Sequence, residues 1–180
     1  GLRYASELCE QISRFNEGQL LYGEQREIAQ ERPFSFGVAG YPEKHEEAMS
    51  MASDLRALKR KVDLGAQYVV TQMFFDNKKY FRFVERCREA GIDVPIVPGL
   101  KPLGTLNHLT TLPRTFRVDF PDELVEKLEE CKTNDDARAV GTEWCIKQCR
   151  ELMEHNVPCL HFYTMNAAAQ VAEIMNNIKQ

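Results

Sequence analysis

Phe34-Ser-Phe-Gly-Val-Ala-Gly-Tyr-Pro-Glu-Lys-His45 is the stretch that decides the fold of this 180-residue chain. Its first half alternates large and small residues, with Phe34, Phe36 and Val38 on one face, the pattern of a short buried strand. Gly37 and Gly40 carry no side chain, so another group can approach the backbone closely. Pro42 has no amide to donate and stiffens Tyr41 before it, which ends the strand. A charged, Ala- and Met-rich segment with helical spacing follows at once. Strand, small-residue turn and helix make a βα unit, with Tyr41 to His45 at the strand's C-terminal end. In parallel α/β folds that end is where ligands bind.

Working outward, the plan repeats. Before the stretch, residues 1–16 read as an amphipathic helix with Leu8, Ile12 and Phe15 on one side and Asn16 and Gly18 as stop signals, and residues 17–32 as a polar loop. After it, a helix is expected from about Glu46 to Leu64, with Leu55, Leu58 and Val62 as its stripe and Gly65 ending it. Residues 68–75 (Tyr-Val-Val-Thr-Gln-Met-Phe-Phe) are β-branched and aromatic, a second buried strand. Asp76 or Asn77 caps the next helix, which runs to about Ala90 before Gly91. A third strand is read at Val94–Pro98, a short helix at Thr105–Leu112, and an extra helical segment over 121–155, broken near Thr133 to Asp135. The fourth strand is Pro158–Thr164, with an Ala-rich helix after it. Strands alternating with helices imply a parallel sheet within a single α/β domain spanning 1–180. An eight-stranded barrel takes about 250 residues, so four βα units fit either half a barrel or a small open α/β sheet, and the pattern alone leaves both open.

Composition sets outer bounds. Hydrophobic residues make up 43% and charged residues 28%, ordinary for a water-soluble domain. A net charge of -4 and no basic stripe argue against nucleic acid as a partner. No apolar run approaches the roughly 18 residues of a membrane helix and no signal-peptide pattern opens the chain, so no membrane association is expected. The six cysteines have no CxxC pair. Cys145 and Cys149 share a helix face and read as packing thiols, with a metal pair or redox couple as alternatives. Free thiols imply a reducing compartment, most simply the cytoplasm.

Three groups of residues could carry chemistry. Asp54 and Lys61, seven apart, lie two helical turns along one face, near Tyr41 and His45; the plain alternative is an acid and a base on a solvated helix. Gln72 ends a hydrophobic strand, where an amide is costly to bury without partners, and it offers both donor and acceptor to the edge of a heterocycle; bonding to neighbouring backbone is the alternative. Phe74 and Phe75 read as core. His161 and Tyr163 share a face of the last strand, with Phe162 turned the other way, and a packed core tyrosine is as good a reading of Tyr163 as a ligand contact. There is no P-loop, GxGxxG, HExxH or nucleophile elbow.

Taken together and in order, Ala39-Gly-Tyr-Pro-Glu-Lys-His45, Asp54, Lys61, Thr71-Gln-Met-Phe-Phe-Asp76, Pro98-Gly99 and His161-Phe-Tyr-Thr-Met-Asn166 closely resemble methylenetetrahydrofolate reductase. Leu58–Ala66 and Phe83–Ile92 add to the match, which runs from about Phe34 to the C-terminus. The resemblance implies a (βα)8 TIM barrel that binds FAD and reduces 5,10-methylenetetrahydrofolate to 5-methyltetrahydrofolate. Electrons would come from NADH or NADPH through the flavin, the first product leaving before the second substrate binds. On the same basis Ala39, Tyr41, His45, Ala48, Asp54 and Lys61 hold FAD, Lys61 offsetting pyrophosphate charge and Asp54 accepting from ribityl or ribose hydroxyls. Gln72 would bind the pterin, with Tyr163 lining the folate pocket.

The match also has departures. The family's early strands, one with a glutamate that acts as general acid and one with an aspartate near the flavin, have no counterpart in these residues, so the chain reads as the last four βα units and no catalytic residue is assigned within it. Ala167 stands where an arginine often follows the last motif, and His108 and Leu112 stand where bacterial relatives carry glutamine and phenylalanine. The alternative is a non-catalytic half-barrel fragment or interaction module completed by a second chain. Two exposed sheet edges predict a homo-oligomer or association with the missing barrel half, and weak FAD binding by these residues alone.

Overall fold

The structure is a computed structural model and describes residues 1–19 and 33–179. Most of the expected 17–32 loop therefore lies outside the described residues. The elements run α1 (Ala5–Asn16), β1 (Gly37–Gly40), α2 (Met51–Asp63), β2 (Tyr68–Met73), α3 (Asn77–Glu89), β3 (Ile96–Leu100), α4 (His108–Phe116), α5 (Asp122–Glu129), α6 (Asn134–Glu154), β4 (His161–Phe162) and α7 (Ala168–Ile178). The four strands form one parallel sheet in the order β1-β2-β3-β4, each joined to the next through at least one helix.

Each helix begins and ends where its residues dictate. Ser50 caps α2 by accepting the Ser53 amide, Asp76 caps α3 by accepting that of Lys78, and Thr133 caps α6 by accepting that of Asp136. Gly18, Gly65 and Gly91 follow α1, α2 and α3 with φ of 78°, 102° and 73°, a conformation only glycine takes without strain. One face of the sheet is covered by helices. Along β2 the alternation is plain: Val69, Thr71 and Met73 are buried, while Tyr68, Val70 and Gln72 on the other face keep contact with solvent. Val69, Ile96 and Leu100 join Leu58, Phe83, Cys145, Cys149 and Leu152 in the main core, and a second cluster of Met73, Phe75, Leu103, Leu124 and Leu128 sits under α4 and α5. All six cysteines are free thiols. Cys145 and Cys149 meet in the core, where the hydrogen bond between them and burial hold the Cys145 thiol well above its ordinary pKa.

Several boundaries differ from expectation. Phe34 is not in a buried strand: it is 60% exposed, because β1 pairs with β2 only from Gly37 opposite Tyr68. Its backbone is held instead by Asn16, whose amide group donates to the Phe34 carbonyl (3.0 Å) and accepts its N–H (2.7 Å). α2 starts at Met51 rather than Glu46, since Asp54 draws the preceding loop back on itself (below). β2 stops at Met73, two residues short of Phe75. β3 is shifted to Ile96–Leu100, and α4 to His108–Phe116. β4 keeps only His161 and Phe162 in the ladder, whereas the sequence suggested seven residues.

Pro98 sits inside β3 and donates nothing, so β2 is irregular opposite it, between Val70 and Met73. The Thr71 hydroxyl takes the Gly99 amide there (2.9 Å), and the Thr71 carbonyl accepts the hydroxyl of Tyr163, the residue that follows β4 (2.8 Å). This joint ties three strands together at their C-terminal ends.

Candidate functional site

The residues picked from sequence fall at those ends in two groups. In the first, β1 delivers Ala39 and Tyr41 into a turn-rich loop, Tyr41–Ser50, and α2 returns Asp54 and Lys61 alongside it. Asp54, in the first turn of α2, accepts the backbone N–H of His45 at 2.7 Å. His45 packs edge-on against Tyr41, ring centroids 4.5 Å apart. Two helical turns on, the Lys61 ammonium donates to the Ala39 carbonyl at 3.1 Å. Asp54 and Lys61 do share a face, and that face looks onto the end of β1. Lys44 adopts φ 88°, strained for a residue with a Cβ, and its ammonium donates to the carbonyls of His45 and Ala48, closing the loop on itself.

Charge in this group is under-compensated. Burial lowers the Lys61 pKa, opposed only in part by Asp54, and the ammonium has a single hydrogen-bond partner among the described residues, an uncharged carbonyl. Burial likewise pushes the Tyr41 hydroxyl up, with Asp54 adding to it.

The second group lies across β2, β3 and β4. Gln72 is half-buried on the less covered face of β2; its side-chain oxygen accepts the next amide along the chain, Met73 N–H, at 3.0 Å. Its amide nitrogen has no partner among the described residues, so local bonding claims the acceptor and leaves the donors. Tyr163 lies half-buried with its ring over Gly99, where a Cβ would come within 2.7 Å of the ring, and its hydroxyl is committed to Thr71. Burial raises its pKa, Tyr41 adding to the effect. The ring, rather than the hydroxyl, is what Tyr163 offers to a ligand. His161 packs edge-on against it at 4.8 Å, as the two-residue spacing predicts. The residues at the family's variable positions are accounted for locally. Leu112 is core, the His108 Nδ1 accepts the Gly104 amide at 3.1 Å, and Ala167 opens α7 after a turn in which Met165 and Asn166 both have positive φ.

Two features escape a sequence reading. Lys101, directly after β3, is 5% exposed and has no ion-pair or hydrogen-bond partner for its ammonium among the described residues; burial lowers its pKa. A lysine between a buried strand and a proline is the only signal the sequence carries. The other is an ion cluster that grips the Tyr41–Ser50 loop from outside: Lys79 on α3 bonds both Glu43 and, at 2.7 Å, Asp119, while Arg117 pairs with Glu46 at 2.8 Å. These partners lie up to 76 residues apart, too far for any spacing rule to connect them. A groove of 590 Å³ lies away from the strand ends, between α2 and α3, lined by Leu55, Arg56, Arg60 and Arg86 among others.

Comparisons with known proteins agree on the family. The family model described as Methylenetetrahydrofolate reductase matches residues 1–179. A probable methylenetetrahydrofolate reductase (NADPH) of Caenorhabditis elegans is 40% identical over 147 residues, covering 81% of this chain and 22% of that protein. The 5,10-methylenetetrahydrofolate reductase of Escherichia coli is 38% identical over 136 residues, 75% of this chain and 46% of that protein. The chain thus spans less than half the length of these relatives. Among solved structures, an uncharacterized Clostridium thermocellum protein that binds two copies of 5-methyl-5,6,7,8-tetrahydrofolic acid has a TM-score of 0.59 at 17% identity, over 95% of this chain and 68% of that one. At that identity the likeness speaks for the fold alone. With the family model matched over nearly the whole chain, this protein belongs to the methylenetetrahydrofolate reductase family of oxidoreductases.

Proposed function

We propose that this chain forms the flavin- and folate-binding part of an enzyme that reduces 5,10-methylenetetrahydrofolate to 5-methyltetrahydrofolate with NADH or NADPH, through FAD, in a TIM barrel of which these strands are four. The observation that carries the reading is Lys61: a half-buried ammonium with one carbonyl partner among the described residues, at the end of β1. Such a cation fits a pyrophosphate, whose charge it would offset far better than a carbonyl does. The rest of the cluster fits the same group. Asp54 spends one oxygen on His45 N–H and has the other for a sugar or ribityl hydroxyl, and the Tyr41–His45 pair supplies an apolar wall. Ala39, without side-chain bulk, and Ala48 leave the backbone approachable.

When bound, FAD supplies the acceptance of a hydride from reduced nicotinamide and its delivery to the folate. The chain's own contribution is to bind and orient. Lys61 and Asp54 fix one end of the flavin nucleotide, and Gln72, its amide donors free, aims at an acceptor on the pterin edge. The Tyr163 ring, pinned through its hydroxyl to Thr71, gives a flat surface at a fixed height above Gly99. No side chain here is assigned as the proton donor.

A second reading has one observation in its favour. The strands β1 and β4 each pair on one side only among the described residues, and Tyr68 on the less covered face is 40% exposed. That suits a module whose sheet is completed by other strands and which serves assembly rather than turnover. One experiment separates the two. The purified protein is examined by visible spectroscopy under argon, then mixed with NADH or NADPH and afterwards with methylenetetrahydrofolate. Flavin bands near about 370 and 450 nm that bleach with the nucleotide and return with the folate support the reductase. A folded protein that takes up no FAD, or flavin that the folate does not reoxidise, overturns it.

A further inference from the structure

The loop that would hold the flavin, Tyr41–Ser50, is gripped on two sides. From within, Asp54 holds the amide of His45. From without, the grip centres on Glu43. Its carboxylate bonds the Lys79 ammonium in the first turn of α3 and also accepts the backbone N–H of Asp119, at 3.2 and 3.3 Å to its two oxygens. Asp119 lies in the connection between α4 and α5, and its own carboxylate bonds Lys79 at 2.7 Å.

Exposure tells which of these contacts matter. The Glu43 and Lys79 side chains are only 11% and 22% exposed, so neither is a solvated surface charge. The carboxylate of Asp119 is 78% exposed, and Arg117 and Glu46 are both more than half exposed, which makes those pairs weak tethers. The burial of Glu43 has a cost: desolvation raises its pKa, and Lys79 and the Asp119 amide only partly offset that. A buried acid kept against that cost, joining three segments that are far apart in sequence, sets geometry rather than adding bulk stability. It lies two residues from Tyr41 and two from His45.

We propose that Glu43 is a positioning residue, clasped by Lys79 and the Asp119 amide, and that this clasp sets the grip of the Tyr41–Ser50 loop on the flavin nucleotide. The inference rests on the reading that this loop holds FAD. Through the clasp, the α4–α5 connection is coupled to cofactor retention, although it contributes no side chain to the cofactor cluster. Releasing the clasp leaves the loop held by Asp54, by the internal Lys44 contacts and by the exposed Arg117–Glu46 pair, so the bound geometry must be selected from more conformers and the cofactor dissociates faster.

The test uses the flavin-loaded protein with Lys79→Met, Lys79→Arg, Glu43→Gln and, as a matched destabilised control away from the loop, Gln148→Leu. Two quantities are read for each: the FAD dissociation rate, from recovery of flavin fluorescence on dilution, and the unfolding midpoint of the flavin-free protein. The expected result is release accelerated on the order of tenfold in Lys79→Met and Glu43→Gln, a coupling of ordinary size, near wild-type release in Lys79→Arg, and unaltered release in Gln148→Leu despite its lower midpoint. Release that follows the unfolding midpoint across all four variants overturns the clasp. So does wild-type release in Glu43→Gln, which stands as the test if Lys79→Met does not fold. A wild-type protein that takes up no FAD at all is a different failure, that of the cofactor reading itself.

Discussion

Polar groups in two regions of this molecule, fully buried in one and mostly half-buried in the other, meet opposite conditions. Around α6, Asn77, Thr142, Gln148 and Gln170 are each at least nine-tenths covered, and each is matched. Gln148 donates to the Phe74 carbonyl and to Asn77, Asn77 donates back to the Gln148 carbonyl and to Glu151, and Gln170 donates to the Leu103 carbonyl and to Thr142. At the strand ends, Lys61 has one carbonyl, and the Gln72 amide nitrogen and the Lys101 ammonium have no partner among the described residues. A network whose amide donors are all spent pins helices to the sheet and has no amide donor left for a ligand. Donors desolvated without acceptors are destabilising in the free protein, and they are retained where something else supplies the acceptor.

That contrast can be broken or sharpened by substitution. The closed region should respond most. Gly141 on α6 has room for no Cβ, which would lie 2.2 Å from the Leu103 carbonyl oxygen, so Gly141→Val should cost about 3 kcal/mol in urea unfolding. Gln148→Leu keeps the volume but strands the Phe74 carbonyl and Asn77, and a loss of about 2 kcal/mol is expected; a neutral result would mean that the network is not closed. In the open region the sign should reverse. Lys61→Met is expected to leave the thermal midpoint of the flavin-free protein unchanged or higher, while FAD affinity, by fluorescence titration, falls on the order of tenfold.

The stability difference in that variant should also depend on pH. The Lys61 pKa is lowered on folding, so its desolvation cost is fully present at neutral pH and is lifted as pH rises through the folded-state value toward 10.5, the value in the unfolded chain. The advantage of methionine should therefore fade in alkali. The smallest effect is expected at Lys44, whose positive φ glycine would adopt freely. Lys44→Gly should gain about 0.5 kcal/mol, net of the contacts from its ammonium to two carbonyls, and a loss would mean those contacts outweigh the strain.

How much of this was readable beforehand follows from the range of each interaction. Gly65 and Gly91 ended their helices and Asp76, one of the two caps the sequence offered, began α3 because capping is decided within four residues. The shared face of Asp54 and Lys61 was readable for the same reason: seven residues make two turns. Phe34 was misplaced because its alternation satisfies the strand pattern, whereas strand pairing begins only where β2 is present to receive it, at Gly37. The start of α2 was misplaced because Asp54 bonds the amide of His45, nine residues back, and holds the residues before the Ser50 cap out of the helix. Glu43, Lys79 and Asp119 were unreadable as a set, since each alone is an ordinary surface charge in sequence.

By itself, then, the sequence determined the alternation of strands and helices, the parallel sheet, the family, and the list of side chains gathered at the strand ends. Periodicity, caps and ordered motifs are local properties written along one dimension. Only the tertiary structure decided which of those side chains are free to act. Tyr163 gives its hydroxyl to Thr71 because Pro98 disrupts the ladder beside it, and among the described residues Gln72 keeps its donors while Met73 takes its acceptor, and Lys61 has a carbonyl where its charge calls for an anion. Desolvation and hydrogen-bond satisfaction depend on neighbours brought from distant parts of the chain, and they exist only once the strands have been laid side by side.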